Sequence, residues 1–285
     1  MTQIVAKKKI RYPMALERQY SKEIVSCVND MFDIIESRVP AMVRLIKQHN
    51  LRSDADDDNE ALDDFMEKLA ALLLLARKSK KYVTAMYKKV KLHNEAQFKA
   101  VTKSVFGRPL AFKDVDTAVK QQRILSQIEN MWVRENLDLI SSIEAETLRK
   151  LRWELSQRIV ATAGDESLKT ALTDYIENQA RIERNRAVLI ASDQVGKLNG
   201  RLMRYEQQRA GITHYRWETM QDSRVRPTHR ERQGEIFSWD EPPSDGHPGE
   251  AIRCRCVADP VFDTAEIGVE PEANTYAYVA YSVFT

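Results

Sequence analysis

The spacing of apolar residues changes once along this 285-residue chain, close to Gly211. Before that point apolar residues recur every three or four positions, which is the period of an amphipathic helix. After it, apolar and polar residues alternate over short stretches that turn residues separate, which is typical of short strands. The pattern predicts a mainly α chain, in which long helices are followed by a compact, irregular α+β module with short antiparallel strands.

Breaks in the helical pattern place the element boundaries. The first helical stripe runs from Met14 to His49, and Pro40 inside it predicts a kink or break near Val39 because proline removes a backbone donor. A second helix begins in the acidic run 53–64 and continues as a buried turn through Leu69–Ala76. Its inward residues are predicted to be Leu62, Phe65, Met66, Leu69, Leu72, Leu73 and Ala76.

Further breaks predict three regions. The sequence Phe106-Gly-Arg-Pro ends a helix, a helix resumes near Asp114, Gly164-Asp165 interrupts it, and Gly211 ends the last helix as a C′ residue. We therefore expect a helical N-terminal region over 1–105, a domain over 106–263 and a C-terminal tail over 264–285. Within the domain, helices over 114–210 precede an α+β cassette over 211–263.

The cassette contains two of the four Trp, three of the five His and two of the three Cys. Three strands are predicted in it, over 215–219, 236–239 and 253–257, with Tyr215, Trp217 and Thr219 on one face of the first. Trp217 and Trp239 are expected in the core rather than as platforms on which bases stack.

Charge and cysteine content exclude some classes of protein. A net charge of +2 does not predict nucleic-acid binding, so any basic surface has to be local. Such surfaces are the patch Lys78–Lys91 and the tail 1–13, whose cations are Lys7, Lys8, Lys9 and Arg11. That tail is expected to be a disordered or partner-ordered arm, with contact to DNA as the alternative. Three cysteines make no disulfide framework, and no signal peptide or membrane-spanning run is recognised.

The cassette carries an ordered series of motif residues. They are Tyr215, Trp217, Thr219, Asp222, Arg224, Val225, Arg226, Pro227, His229, Gly234, Phe237, Pro242, Pro243, Cys254, Arg255 and Cys256. This series resembles the phage Mu F-like minor head protein family, also called phage head morphogenesis proteins. The close resemblance covers about a fifth of the chain, and a looser one covers about half.

The resemblance implies a function and a location. Proteins of this family are minor components of tailed-phage heads that act near the portal during procapsid assembly. A virion location, in the head interior or at the portal vertex, is therefore expected after synthesis in the host cytoplasm. The expected partners are the portal protein, other head or scaffold proteins and phage DNA, with no membrane. A role in DNA packaging or delivery is part of the same expectation.

Polar residues of the cassette leave two interpretations open. In the first, Asp222, Arg224, Arg226, His229, Cys254 and Cys256 form a structural cluster, with Asp222 paired to Arg226 or Arg224 and no cofactor. In the second, His229, Cys254 and Cys256 hold zinc, which favours Cys and His ligands. Some family members have further Cys and His ligands, and here Arg226 and Ala251 stand in two of those places. His247 is a distant substitute.

Two other functions use the same residues. A metal-dependent enzyme acting on nucleic acid would use Asp222 with His229 as a base, and Glu231, Glu235 or Asp240 as further acids. A DNA-binding accessory protein would use the two basic patches. Nothing resembles a nucleophile motif, so no catalytic residue is assigned. The aromatic tail 275–285 could add as a strand to its own domain or to a neighbour, and docking on a partner in the head is the expectation.

Overall fold

Helices dominate the structure, a computed structural model that describes the backbone of residues 3–50, 55–110, 115–159, 165–263 and 277–280. Side chains are described for residues 4–48, 60–110, 119–158 and 167–263. The helices are α1 (Met14–Glu36), α2 (Val39–Asn50), α3 (Ala55–Leu73), α4 (Leu75–Phe106), α5 (Val115–Ile159), α6 (Asp165–Arg209) and α7 (Pro227–Glu231). The strands are β1 (Gln3–Ala6), β2 (His214–Glu218), β3 (Ile236–Ser238), β4 (Val257–Asp263) and β5 (Ala277–Ala280). The predicted fold class is confirmed.

The chain forms two compact units, each assembled from separate stretches of sequence. Unit 1 comprises Met1–Arg18, Ala85–Trp132 and Ser192–Thr285. Unit 2 comprises Gln19–Thr84 and Val133–Ala191. Residues 1–105 therefore contribute to both units, and the division of the sequence at residue 106 stays a prediction about sequence regions.

The described part of unit 2 is helical, and the break predicted at Pro40 is confirmed there. Helix α1 ends at Glu36 and α2 begins at Val39. Pro40 lies in the first turn of α2, where a missing N–H costs nothing because that donor would have no partner within the helix. The carbonyl of Arg38 accepts bonds from the amides of Ala41 and Met42, at 2.9 and 3.0 Å.

The leucine-rich turn between α3 and α4 departs from the predicted continuous helix. Leu74 has φ = 46°, so α3 ends at Leu73 and α4 begins at Leu75. The amide of Leu75, a donor without a partner inside its helix, donates to Glu144 Oε2 at 2.6 Å. Leu72 was expected to face inward, but the left-handed residue after α3 leaves it 43% exposed.

Unit 1 contains a five-stranded antiparallel sheet in the order β3-β2-β4-β1-β5. Strand β2 lies between β3 and β4, so Tyr215 faces Phe237 on one side and Pro260 on the other. Tyr215 and Trp217 point to the same, fully buried face of β2, as the alternation predicts. All seven residues of β4 are buried.

Residues 3–6, which precede the basic residues of the N-terminal tail, are part of this sheet, and the expectation of a disordered arm is wrong for them. Strand β1 pairs with β4 from Gln3 opposite Asp263 to Val5 opposite Val261. After β1, the buried amide of Ile10 donates to Asp259 Oδ1 at 2.7 Å. The sequence alone did not indicate this because β1 has only four residues and its partner lies at the far end of the chain.

The third strand of the cassette lies later in the sequence than predicted. It runs over Val257–Asp263, not over 253–257. Arg253 has φ = 57°, a left-handed conformation that does not continue a strand. Cys254 and Cys256 consequently lie in the irregular segment before β4, and their side chains are not fixed by a strand ladder.

The cassette packs closely on helix α6 through two glycines. A Cβ at Gly196 would lie 2.6 Å from the carbonyl oxygen of Cys254, and one at Gly200 would lie 2.4 Å from that of Pro248. The helix then ends as predicted at Gly211, which has φ = 75°. The amides of Gly211 and Ile212 bond back to the carbonyls of Gln208 and Gln207, which is a Schellman arrangement.

The end of the chain contributes an edge strand. Residues 277–280 form β5, which pairs antiparallel with β1 from Gln3 opposite Ala280 to Ala6 opposite Ala277. This stretch of the predicted tail therefore adds as a strand to the sheet of its own chain, which is one of the two predicted alternatives. The acidic run 54–58, Gly164 and residues 264–276 and 281–285 lie outside the described residues or side chains.

Candidate functional site

The cassette is built around aromatic side chains on β2 and β3. The buried cluster contains Tyr215, Trp217, Trp239, Cys254, Cys256 and Ala258. Trp239 donates through Nε1 to Gln207 Oε1 at 3.1 Å, and Gln207 donates to the carbonyl of Ala258 at 2.7 Å. Trp217 is 0% exposed and Trp239 is 2% exposed, so the prediction that both are core residues is confirmed.

His229 joins the turn region of the cassette to the cysteines. It lies on the short helix α7, where Pro227 occupies the first turn. Its ring stands edge-on to Trp217, with centroids 5.1 Å apart, and is 2% exposed. Nδ1 lies 3.6 Å from Cys254 Sγ and 3.5 Å from Cys256 Sγ, while Nε2 lies 2.9 Å from Asp245 Oδ2.

Asp245 holds the other side of the imidazole. Its second oxygen, Oδ1, accepts a hydrogen bond from Arg232 Nη1. Burial raises the pKa of this carboxyl, but the bonds from Arg232 and His229 outweigh burial and leave its pKa below the ordinary value. Arg232, Asp245, His229 and Cys254 contact one another in that order. Groups that ionise to cations alternate with groups that ionise to anions, so each group favours the charged form of its neighbour.

The pKa values of the two thiols, Cys254 and Cys256, are shifted in opposite directions. The Cys256 thiol, His229 and the amide of Gly249 (3.4 Å from Cys254 Sγ) all donate to the Cys254 sulfur, and they lower the pKa of Cys254 below its ordinary value. The neighbouring thiolate and burial raise the pKa of Cys256. Hydrogen bonding to Cys254, with Asp245 behind, raises the pKa of His229. These contacts favour the thiolate form of Cys254, the thiol form of Cys256 and the protonated form of His229.

Asp222 has a different partner from the one predicted. Arg255 donates to both of its oxygens, through Nη1 and Nη2 at 2.8 Å each, and lowers the pKa of Asp222. The predicted partner Arg224 contributes its backbone amide at 3.0 Å, with its guanidinium 3.8 Å away. The other predicted partner, Arg226, instead donates to the carbonyl of Ile252 at 2.6 Å. The prediction that Asp222 pairs with Arg226 or Arg224 is therefore corrected. The partner is Arg255, a buried side chain (7% exposed) that lies 33 positions later in the sequence.

The structure brings His229, Cys254 and Cys256 together, as both sequence interpretations require. Their donor atoms lie within 4.8 Å of one another and form the group of His, Cys, Asp and Glu side chains, among those described, that could hold a metal ion. They fit three corners of a tetrahedral zinc site. No fourth ligand of these types joins the group within the described side chains, because Asp245 bonds the far nitrogen of His229 and His247 Nδ1 bonds the hydroxyl of Tyr215 at 2.9 Å.

The space beside the thiols is small and lined by cations. A cavity of about 20 Å³, enough for about one water molecule, adjoins the thiols. The charged side chains that line it are Arg224, Arg226, Arg253 and Arg255. Positive surroundings favour a thiolate and oppose the addition of a divalent cation. The donor set therefore fits a zinc site incompletely.

Sequence reasoning missed Asp245 and Arg232, and it assigned Arg255 no contact. Arg255 lies between the two cysteines of the motif, so its position was a usable signal. Asp245 lies in a loop whose path depends on Gly246 and Gly249, with φ of 89° and 94°. The spacing of residues does not predict this loop path. It therefore does not predict that Asp245 lies close to His229.

The predicted DNA-contacting residues lie together on another surface of unit 1. Lys7, Lys8, Lys9 and Arg11 are exposed and line a cleft of about 860 Å³. Lys9 is held in an ion pair with Glu218 at 2.9 Å. Within the described residues, no helix combines the length and apolarity that crossing a bilayer requires.

Comparison with known proteins gives a family match for part of the chain. Residues 149–259 match the family model described as Phage Mu protein F like protein. The match agrees with the resemblance inferred from the cassette residues, which is thereby confirmed.

A match to a second protein covers a larger part of the chain. An uncharacterized protein of Haemophilus influenzae is 34% identical over 154 residues, which is 54% of this chain and 34% of the relative. The chain therefore spans about a third of the length of the curated relative that it matches. No solved structure matches.

Proposed function

We propose that this chain is a minor head protein of a tailed bacteriophage or prophage, acting near the portal in procapsid assembly. The observation that carries the proposal is the family match over residues 149–259, which includes the whole of α6 and almost the whole cassette. The same proposal gives the protein a virion location and gives it the portal protein and other head or scaffold proteins as partners.

The polar side chains of the cassette are already bonded to one another, which supports a structural protein over an enzyme. Asp222 and His229, which an acid–base mechanism would pair, are bonded instead to Arg255 and Asp245. His229 is also buried beneath Trp217, with room beside it for about one water molecule. A nuclease that uses a hard cation would need several carboxylates around it, whereas the described metal-capable group consists of two thiols and one imidazole.

Peptide mass spectrometry on purified particles tests the proposed function. Particles from an induced host would be quantified for this chain against the major capsid protein, in procapsids and in mature heads separately. We expect a few copies per particle. A protein from the same host that is not part of the particle, quantified in the same preparations, controls for carry-over. Absence from both kinds of particle would remove the minor-head proposal.

We also propose that the His–Cys–Asp cluster, formed by His229, Asp245, Cys254 and Cys256, is a structural site without metal. Its contacts would hold the segment before β4 against α7. The incomplete ligand set and the arginine-lined cavity support this. His229→Ala and Cys254→Ser should each lower the free energy of unfolding by about 1–3 kcal/mol, because buried partners lose their bonds. Metal analysis of the purified protein should find no zinc, and a chelator should leave the melting temperature unchanged. Stoichiometric zinc that both substitutions release would establish a zinc site instead.

A second candidate function is contact with phage DNA during packaging or delivery. It is favoured by Lys7, Lys8 and Arg11, which line the same cleft. Gel shifts of duplex DNA should weaken steeply with salt, because each neutralised phosphate releases counterions. Lys8→Glu with Arg11→Glu should reduce both the affinity and the salt slope, whereas exposed Lys169→Glu should change neither. A shift that does not respond to salt or to these substitutions would exclude this surface.

A further inference from the structure

An apolar groove lies in unit 1, between the first part of α5 and the last part of α6. It has a volume of about 600 Å³. Ile124, Ile128 and Met131 form one wall, and Trp239 and Pro248 of the cassette line its base. Ile124 is 42% exposed and Met131 is 55% exposed, although aliphatic side chains are stabilised by burial.

The wall has the geometry of a helix-binding surface. Ile124, Ile128 and Met131 are spaced by four and three residues, so they form a single ridge along α5. This ridge spans about 10 Å, or two helical turns. A second helix can pack its own apolar ridge into such a groove when its side chains repeat at the same spacing.

The rim of the groove is basic. The cations that line it are Lys120, Arg201, Arg204 and Arg209, of which Arg209 is paired with Glu206 at 2.8 Å. Among the described side chains, Glu250 is the one carboxylate that lines it. Glu250 already accepts a bond from the amide of His247 at 2.9 Å. Arg204 is fixed, since it donates to the carbonyl of Trp239 at 3.1 Å and its guanidinium lies over the ring of Trp239.

The positive charge on the rim favours a ligand with negative charge. We propose that this groove binds an acidic amphipathic helix of a partner protein. Two turns of that helix would place two or three aliphatic side chains on the ridge of α5, and flanking Asp or Glu residues would face the basic rim. The proposal rests on the groove and its charges, and it holds whether or not the chain is a head protein.

Selection from a library of random helical peptides displayed on a carrier, with the full chain as bait, tests the proposal. Enriched peptides should share aliphatic residues at i, i+3 or i+4 and i+7, together with net negative charge. A synthetic peptide of the enriched sequence is the probe for affinity measurements. Ile124→Glu should weaken its binding at least tenfold, and Lys120→Glu should weaken it severalfold at low salt.

Two control variants show whether a loss of peptide binding is specific to the groove. They make the same substitutions at exposed positions outside it. Ile182→Glu changes an isoleucine of α6 that is 41% exposed in unit 2, and Lys169→Glu reverses an exposed charge on the same helix. Both should bind the peptide as the wild type does. Enrichment of basic or uncharged peptides would overturn the proposal, as would binding that Ile124→Glu leaves intact. Sedimentation that shows a dimer dissociated by Ile124→Glu would assign the groove to a second copy of the chain and would also overturn it.

Discussion

At the scale of single residues, the cassette depends on polar contacts that join distant parts of its sequence. Asp245 bonds His229, and Arg255 bonds Asp222 across 33 positions. These contacts lie in a segment with much irregular backbone, where few ladder bonds hold the chain. Each side-chain bond in such a segment fixes a loop as well as a partner.

Asp245 is predicted to be a structural residue of the cassette. In Asp245→Asn, His229 and Arg232 lose a charged acceptor, and we expect the free energy of unfolding to fall by about 1–3 kcal/mol. Urea unfolding of the two proteins measures the difference. Asp240→Asn, which changes an exposed carboxylate in the same loop region, should stay within about 0.5 kcal/mol of the wild type. Equal effects of the two substitutions would show that Asp245 has no special role.

The thiolate of Cys254 predicts a pH dependence of stability. A lowered folded pKa stabilises the native state above the ordinary thiol pKa of about 8.5, and this stabilisation is lost as pH falls through the folded value. His229 has the opposite sign: its raised pKa gives full stabilisation below about 6.5, which is lost as pH rises. Below about pH 6.5, therefore, the histidine contribution is constant and the thiolate contribution decreases.

The wild type should consequently lose its advantage over Cys254→Ala on acidification. The difference in free energy of unfolding between the two proteins should be smaller at about pH 5 than at about pH 7.5. Urea unfolding at both values measures it. Cys27→Ala, which changes a buried thiol in unit 2 whose pKa burial raises, is the control and should show no such decrease. A difference for Cys254→Ala that stays constant would mean that Cys254 is a neutral thiol in the folded protein.

Residues differ in how well the sequence predicted them. Trp217 and Trp239 were placed in the core correctly because alternation on a strand determines which side chains point inward. His229, Cys254 and Cys256 were grouped correctly from the motif. The Asp222–Arg255 pair and the role of Asp245 were not predicted, because both depend on loop paths that local spacing does not determine.

At the scale of elements, the glycines of α6 set the position of the cassette. Gly196 and Gly200 are one turn apart, and carbonyls of the segment 248–254 contact the helix at both. Glycine normally costs a helix interior about 0.5–1 kcal/mol relative to alanine. Its presence at these two positions is explained by the close approach of backbone.

Gly196→Ala should therefore be destabilising although alanine is the better helix former. The new Cβ would lie 2.6 Å from a backbone oxygen, so the cassette would have to move, at a cost of about 1–3 kcal/mol. Thermal unfolding measures the change. Lys169→Ala, at an exposed position of the same helix, should be neutral or slightly stabilising. A stabilised Gly196→Ala would show that the helix and the cassette are not in contact there.

The boundaries of elements were predictable where a residue enforces them. Pro40 and Gly211 break helices through a missing donor and a positive φ, and both breaks were predicted. The break at Leu74 was not, because a non-glycine residue adopts φ = 46° while Glu144 of another helix holds the next amide. The start of β4 was misplaced for a similar reason, since Arg253 has a positive φ that its identity does not suggest.

At the scale of the whole molecule, unit 1 combines residues from the beginning, the middle and the end of the chain. Strand β1 lies between β4 and β5 and hydrogen-bonds to both. The sequence predicted a disordered or partner-ordered arm here, because a four-residue strand has too few positions to show a period. Its place in the sheet depends on a partner that local patterns cannot identify.

Deletion of residues 1–6 should destabilise the sheet. Strand β4 would lose the partner of Val261 and Phe262, and β5 would lose the strand with which it pairs. Amide hydrogen exchange should show lost protection in residues 261–263, while helices of unit 2 keep theirs. Lys7→Ala and Lys8→Ala, which leave β1 intact, should preserve the protection. Unchanged exchange in the deletion variant would mean that β1 is dispensable.

The position of β1 also sets a waiting time during synthesis. Ile10 bonds Asp259, 249 positions later. At ordinary rates of translation this delay lasts on the order of ten seconds or more. During that time β1 has left the ribosome and has neither neighbour, whereas the helices can already form from local contacts. Assembly of the sheet is therefore a late event, and a nascent chain stalled before residue 257 would present an unpaired apolar strand to chaperones and proteases.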